Sequence, residues 1–242
     1  MKKLIFLIAL LSCYSFVFAQ QKNTNTGTLP KERKVFFSVM IGPTVDWFQP
    51  TTKAFSGKVA TGGFLTGITI DANVIPQKFF YISTGVLVRY LEGIAHFNHE
   101  YTVNDKATIE YAKRTYQTIY LTFPTGIKLK TKPSKNCVFS GKVGLYHNFK
   151  IVGQQVDNFV LKNDPEYFIT TKKIKNTDAA LFAEAGYAGL GFEYVLGKTR
   201  VFANVDYSCQ FNYFNKKATS NISDARFKTV VHSLQMVFGF LF

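Results

Sequence analysis

The chain holds four histidines, at 96, 99, 147 and 232, and these are the first places to look for chemistry. His96 and His99 stand three apart in His96-Phe97-Asn98-His99. A structural or catalytic zinc needs three or four ligands, and no third ligand lies at a fitting spacing. A solvated loop is the plainer reading. His147 and His232 each fall among large apolar residues in an alternating run, whereas Ser208 and Ser233 fall on the opposite, smaller set. A hydroxyl nucleophile needs its base within hydrogen-bond reach. With the two types on opposite faces, a Ser/His/acid lipid hydrolase is only a second alternative, and the chain is expected not to be an enzyme. The glycines sit inside alternating runs rather than in a phosphate-binding loop. Asn221-Ile222-Ser223 fits a glycan acceptor and says nothing more. No cofactor and no metal are expected.

The elements that would position these residues begin after a distinctive N-terminus. Met1 to Gln21 reads MKKLIFLIALLSCYSFVFAQQ, with Lys2 and Lys3 ahead of an apolar run and Val17-Phe18-Ala19 ahead of Gln20. That pattern predicts a cleaved signal peptide over 1–19. A second reading, a lipoprotein processed before Cys13, has Leu10-Leu11-Ser12 in its favour, but Tyr14 to Ala19 stays apolar up to the later cut. Residues 20–34 are rich in Asn, Thr, Gly, Pro and Lys and predict a flexible periplasmic leader. The remainder, 35–242, is the length of one domain. It keeps Cys137 and Cys209, too few for a disulfide framework. No run approaches the ~18 apolar residues of a membrane helix. The formal charge is +14, and without Lys2 and Lys3 there are 27 basic residues against 15 acidic, or +12. An exported chain meets acidic glycolipid before it meets nucleic acid, so no nucleic-acid partner is expected.

From Val35 onward the hydrophobic period is two. The last run, Lys228 to Phe242, sets Leu234, Met236, Phe238, Phe240 and Phe242 against Ser233, Gln235, Val237, Gly239 and Leu241. Successive strand side chains point to opposite faces, so one face is large and apolar and the other small and mixed. Seven more runs repeat the pattern: Val35–Phe48, Phe64–Val74, Phe79–Tyr90, Thr115–Leu129, Cys137–Phe149, Ala179–Leu196 and Thr199–Phe211. Pro124 interrupts the fourth and predicts a bulge. The connections alternate long and short, with Leu91–Thr115 and Lys150–Thr177 read as the longest loops. Each run exceeds the ~9 residues a tilted membrane strand needs. A soluble sandwich would have to bury Asp71, Arg89, Lys128, Lys142, Glu193 and Asp206, which share the mixed face. A narrow barrel can pair them inside a lumen. The prediction is therefore all-β: an eight-stranded antiparallel up-and-down transmembrane β-barrel in the cell outer membrane, with those six residues as a polar lumen network.

Three stretches carry a family likeness. Tyr120-Leu121-Thr122-Phe123-Pro124 is similar to a Tyr-Leu-x-Ile-Pro strand opening, Gly189-Leu190-Gly191-Phe192-Glu193-Tyr194 forms a Gly-x-Gly-x-x-Tyr run, and the terminal strand is aromatic. Over Val35 to Phe242 the chain resembles the small outer-membrane β-barrels of the Bacteroidetes, the PorT-like group. The resemblance implies fold and location, with assistance to protein secretion or envelope assembly as the implied role. A narrow small-solute channel is the alternative. It further implies that Phe238, Phe240 and Phe242 mark the C-terminus for the barrel-insertion machinery. Lys172, Lys173, Lys175, Lys216 and Lys217 lie in long loops and are the candidates for contact with anionic outer-membrane lipid or lipopolysaccharide. Envelope or secretion-system proteins are the remaining expected partners.

Overall fold

A computed structural model of the protein describes residues 35–242 apart from 52–54, 57–58, 76–78, 98–100, 104–106, 162–163, 171–173, 176–178, 198, 213 and 215–228. The signal peptide and leader of the sequence reading lie outside the described residues. Eight strands form the wall: β1 (Val35–Pro50), β2 (Ala60–Asn73), β3 (Phe80–Phe97), β4 (Ala107–Lys130), β5 (Cys137–Leu161), β6 (Phe182–Leu196), β7 (Thr199–Gln210) and β8 (Thr229–Leu241). Each pairs antiparallel with its sequence neighbours. The sheet closes where β1 meets β8, with Ser38 opposite Leu241 and Trp47 opposite His232. Closure leaves no open edge, which is what a strand-built membrane protein requires. Among the described residues there is no helix. The protein is an eight-stranded closed antiparallel β-barrel.

Why the wall faces as it does follows from the period of two. Along β1 the odd positions from Val35 to Val45 are exposed, while the even positions from Phe36 to Phe48 are buried. Phe37, Val39 and Ile41 are each more than half exposed. In water such a continuous apolar wall would drive association; in a bilayer it is the contact with acyl chains. The terminal phenylalanines belong to it, with Phe238, Phe240 and Phe242 all exposed.

Two expectations need correcting. Leu91–Thr115 and Lys150–Thr177 are largely strand rather than loop, since β3 has 18 residues, β4 has 24 and β5 has 25. Their alternation continues past the apolar band: Leu91, Gly93 and Ala95 are buried and alternate with Glu92, Ile94 and His96. Polar composition hid a period that backbone pairing preserves. These three strands therefore run beyond the ~9–11 residues a bilayer spans. Short strands at Tyr101–Val103, Asp164–Thr170 and Ile174–Lys175 pair with them.

The second correction concerns Pro124. It causes no bulge: Pro124 stays in register opposite Tyr146, and the irregularities lie at Ile119/Tyr120 and Ile109/Tyr111. On the β3 side the ladder pairs Thr84 with Thr125 and Leu87 with Thr122, keeping register across the missing donor. Proline lacks one N–H, and a strand can omit one rung without shifting. Cys137 and Cys209 are free thiols.

Candidate functional site

The lumen is where the sequence concentrates groups that can do chemistry, and it is built in layers. Nearest the short turns, Glu193 on β6 is fully buried and accepts three cations. Lys128 and Lys130 of β4 each approach its Oε1 at 3.0 Å. The Arg200 Nη1 of β7 lies 3.1 Å from its Oε2. Lys128 also donates to Asp71 of β2 at 3.0 Å. Above the lysines' aliphatic stems, the Lys130 ammonium sits 4.4 Å from the Phe36 ring centre and 4.5 Å from that of Tyr81. The Arg200 guanidinium lies 4.5 Å from Phe36. Burial of a charge is tolerated only where partners replace water, and here each carboxylate and ring does so.

One layer higher, Lys142 of β5 meets Asp206 of β7 at 2.7 Å. Lys128 and Lys142 are direct cross-strand neighbours, and like charges placed so repel. Giving each its own carboxylate resolves the conflict. The Asp206 carboxylate occupies the space beside Gly189, where any Cβ would collide with it. Tyr146 and Tyr187 stack at 4.3 Å between this layer and the next. Above them the Arg89 Nη2 donates to Asp46 at 2.7 Å, and Thr44 donates to the same carboxylate at 2.8 Å. Tyr146 donates to Gln235, whose side-chain amide in turn donates to Ser208, both at 3.3 Å.

The loop end is closed by rings. Phe48, Tyr116 and Phe214 meet with centroid distances of 4.8 to 5.8 Å. Phe214 arrives from the loop before β8 and is held by its backbone, its N–H donating to Thr229 and its carbonyl accepting from Ala180. Phe48 fits because residue 93 is glycine; a Cβ there would strike its ring. Beyond this cap, Arg114 and Asp157 form a two-pronged pair at 2.5 and 2.8 Å. Burial disfavours the Arg114 charge, but the Asp157 carboxylate and the Tyr116 phenol together outweigh that and raise its pKa. Two small cavities open in the lumen, about 30 Å³ beside Lys142 and about 10 Å³ beside Arg89. A cavity of 10–15 Å³ holds roughly one water, so neither forms a passage.

The barrel model of one family of outer-membrane proteins matches residues 18–212, most of the chain, under the description "Outer membrane protein beta-barrel domain". The chain belongs to that family. It is accordingly a protein of the outer membrane, and its apolar wall is a lipid-facing wall. Solved structures with a similar barrel include Ail, the attachment invasion locus protein of Yersinia pestis, at 12% identity, with a TM-score of 0.33, 87% of this chain and all of that one covered. OprG from Pseudomonas aeruginosa is similar at 12% identity and a TM-score of 0.38, covering 86% and 96%. Neisserial surface protein A is similar at 10% identity and a TM-score of 0.37, covering 85% and 95%. No curated protein matches the chain.

Within this family barrel, the six lumen candidates all point inward, but into separate groups. Asp71, Lys128 and Glu193 share the layer at the turn end. Lys142 and Asp206 form their own pair, and Arg89 pairs with Asp46. Sequence reasoning missed Lys130, which lies one residue past the run Thr115–Leu129, and Arg200, at the head of β7. Both continue the inward set of their strands, and that parity was the available signal. Phe238, Phe240 and Phe242 face outward. Of the loop lysines, Lys172, Lys173, Lys216 and Lys217 lie outside the described residues, as does the Lys175 side chain. His96 is partly buried at the end of β3, while His99 lies outside the described residues. Among the described residues no group of three metal-binding side chains occurs.

Proposed function

We propose that the protein is a closed interaction barrel: a structural element of the outer membrane that acts through its surfaces. Assistance to protein secretion or envelope assembly, in the PorT-like manner implied by the sequence resemblance, is the role assigned. The observation that carries this reading is the filled lumen. Charged side chains are ion-paired through three successive layers, and three aromatic rings cap the loop end. A solute would have to separate buried ion pairs to pass, and breaking such a pair costs about 3–5 kcal/mol. Chemistry in the lumen has no part in this reading. Lipopolysaccharide contact by the loop lysines and delivery by the insertion machinery belong to the same proposal.

Planar-bilayer recording of the purified protein tests the closed lumen, and a silent bilayer is the expected result. Steady single-channel steps would instead establish the small-solute channel. Crosslinking in the native membrane followed by mass spectrometry tests the interaction role. Recovery of envelope or secretion proteins beyond the insertion machinery is expected.

A further inference from the structure

The outer wall holds a constellation that the sequence reading did not assemble. His147 projects outward from β5, between Phe123 of β4 and Glu184 of β6 in the ladder. Its Nε2 stands 3.0 Å from the Thr125 hydroxyl of β4. Its Nδ1 stands 3.4 Å from the Glu184 carboxylate. Thr125 pairs with Leu145, two residues before His147, so hydroxyl and imidazole meet diagonally across adjacent strands. The order hydroxyl, Nε2, Nδ1, carboxylate is that of an activated nucleophile: the base takes the hydroxyl proton and the acid holds the other ring nitrogen protonated. Distances somewhat long for a hydrogen bond are usual where no substrate is bound.

Its surroundings point to a substrate. Ile127 and Leu145 lie toward the turn end and Phe149 and Ile151 toward the loop end, all exposed on the same wall. Polar groups flanked by lipid-facing apolar surface are disfavoured there, and an ionisable group so placed marks a functional site. Thr125 is exposed, and the His147 and Glu184 side chains are 28% and 44% exposed, so acyl chains reach all three.

We propose that Thr125, His147 and Glu184 form a hydrolytic site for fatty-acyl esters of outer-membrane lipid. This activity goes beyond the interaction role and stands or falls separately from it. The Thr125 Oγ attacks the ester carbonyl carbon while its proton passes to the His147 Nε2. The tetrahedral intermediate collapses, the carbon–oxygen bond to the lipid alcohol breaks, and the alkoxide leaves with the proton from Nε2. Water then attacks the acyl-threonine, gives its proton to His147, and the Thr125 Oγ recovers that proton as the fatty acid departs. Glu184 accepts the hydrogen bond from the Nδ1–H and orients the ring throughout. The reading without chemistry is a hydrogen-bonded trio that merely satisfies its own polar groups.

The full chain, refolded from inclusion bodies into vesicles so that no host lipase is carried over, is the material for the test. One arm contains glycerophospholipid with a labelled ester-linked chain; the other contains an ester-acylated glucosamine glycolipid. Release of fatty acid in either arm is expected, and the arm that responds identifies the lipid. Thr125→Ala and His147→Gln should each lower release at least ~100-fold, the scale of a general base. Thr125→Ser should retain it, and a fluorophosphonate probe should attach at residue 125. Each variant's folding is checked by its heat-dependent shift in gel migration. No release in either arm, or release that Thr125→Ala leaves unchanged, overturns the proposal.

Discussion

Two glutamates of β6 stand nine residues apart, an odd number, and the pleat sends them to opposite sides of the wall. Glu193 points inward, is fully buried and accepts Lys128, Lys130 and Arg200. Glu184 points outward, is partly exposed and meets one histidine. Both are carboxylates in places where water is scarce. Inside, both Glu193 oxygens lie within ion-pair distance of cations, and the group is locked. Outside, the chain Glu184–His147–Thr125 ends on a hydroxyl that faces the membrane, with exposed Thr84 of β3 across the ladder and apolar wall around it. Saturation makes the first a structural joint. The open end makes the second a candidate for turnover.

Removing the saturated joint should have the largest effect. Glu193→Gln leaves buried Lys128 and Lys130 and part-buried Arg200 short of a charge, and the expected loss is about 3–5 kcal/mol. Denaturant unfolding from lipid vesicles measures it, and a loss under ~1 kcal/mol would show that the layer is not held by ion pairing. Next come the two faces of β8. Leu234 is exposed on the lipid wall, so Leu234→Arg should destabilise by roughly 2–4 kcal/mol near the midplane, less toward an interface. Gln235 is buried in the hydrogen-bonded lumen, and Gln235→Arg should lose about 1–3 kcal/mol through overpacking. Spin labels on cysteines at Met236 and Phe238 should be quenched by oxygen and not by a water-soluble agent. Water-soluble quenching at both would reverse the assignment of the faces.

The seam is of similar size. Phe242 exchanges backbone hydrogen bonds with Phe37 at 2.8 and 3.3 Å, together worth about 1–3 kcal/mol. Deleting Phe242 should therefore cost no more than about that much stability in detergent, while lowering membrane insertion in cells by more. Equal losses in the two assays would reduce the residue to packing. The smallest effect belongs to the wall: Glu184→Gln keeps an acceptor for the His147 ring and should change stability by about 1 kcal/mol, the net worth of one hydrogen bond. A loss as large as that of Glu193→Gln would erase the contrast between the two glutamates.

The faces and the strand count were legible because alternation is a local property. Any window of the runs from Val35 to Phe242 shows it, and a strand has no other way to display it than by sending alternate residues to lipid and lumen. Asp71, Arg89, Lys128, Lys142, Glu193 and Asp206 could be put inside on that ground alone. The extents of β3, β4 and β5 were not legible, because past the bilayer both faces become polar and the contrast that marks a strand fades. Lys130 was lost at such a boundary.

Parity along each strand sets the side of every residue, so an outward-apolar barrel with charges in its lumen can be read from the chain alone. Which of those residues meet depends on how the wall closes. Lys128 reaches Asp71 and Glu193 from strands far apart in the chain because the lumen is narrow enough for side chains to cross it. Thr125, His147 and Glu184 come together because the registers of β4 on β5 and β5 on β6 place them on one diagonal. Register is set by the sum of pairing over whole strands, so no local pattern announces it, and shifting any one of those strands would dissolve the trio while leaving its sequence pattern unchanged.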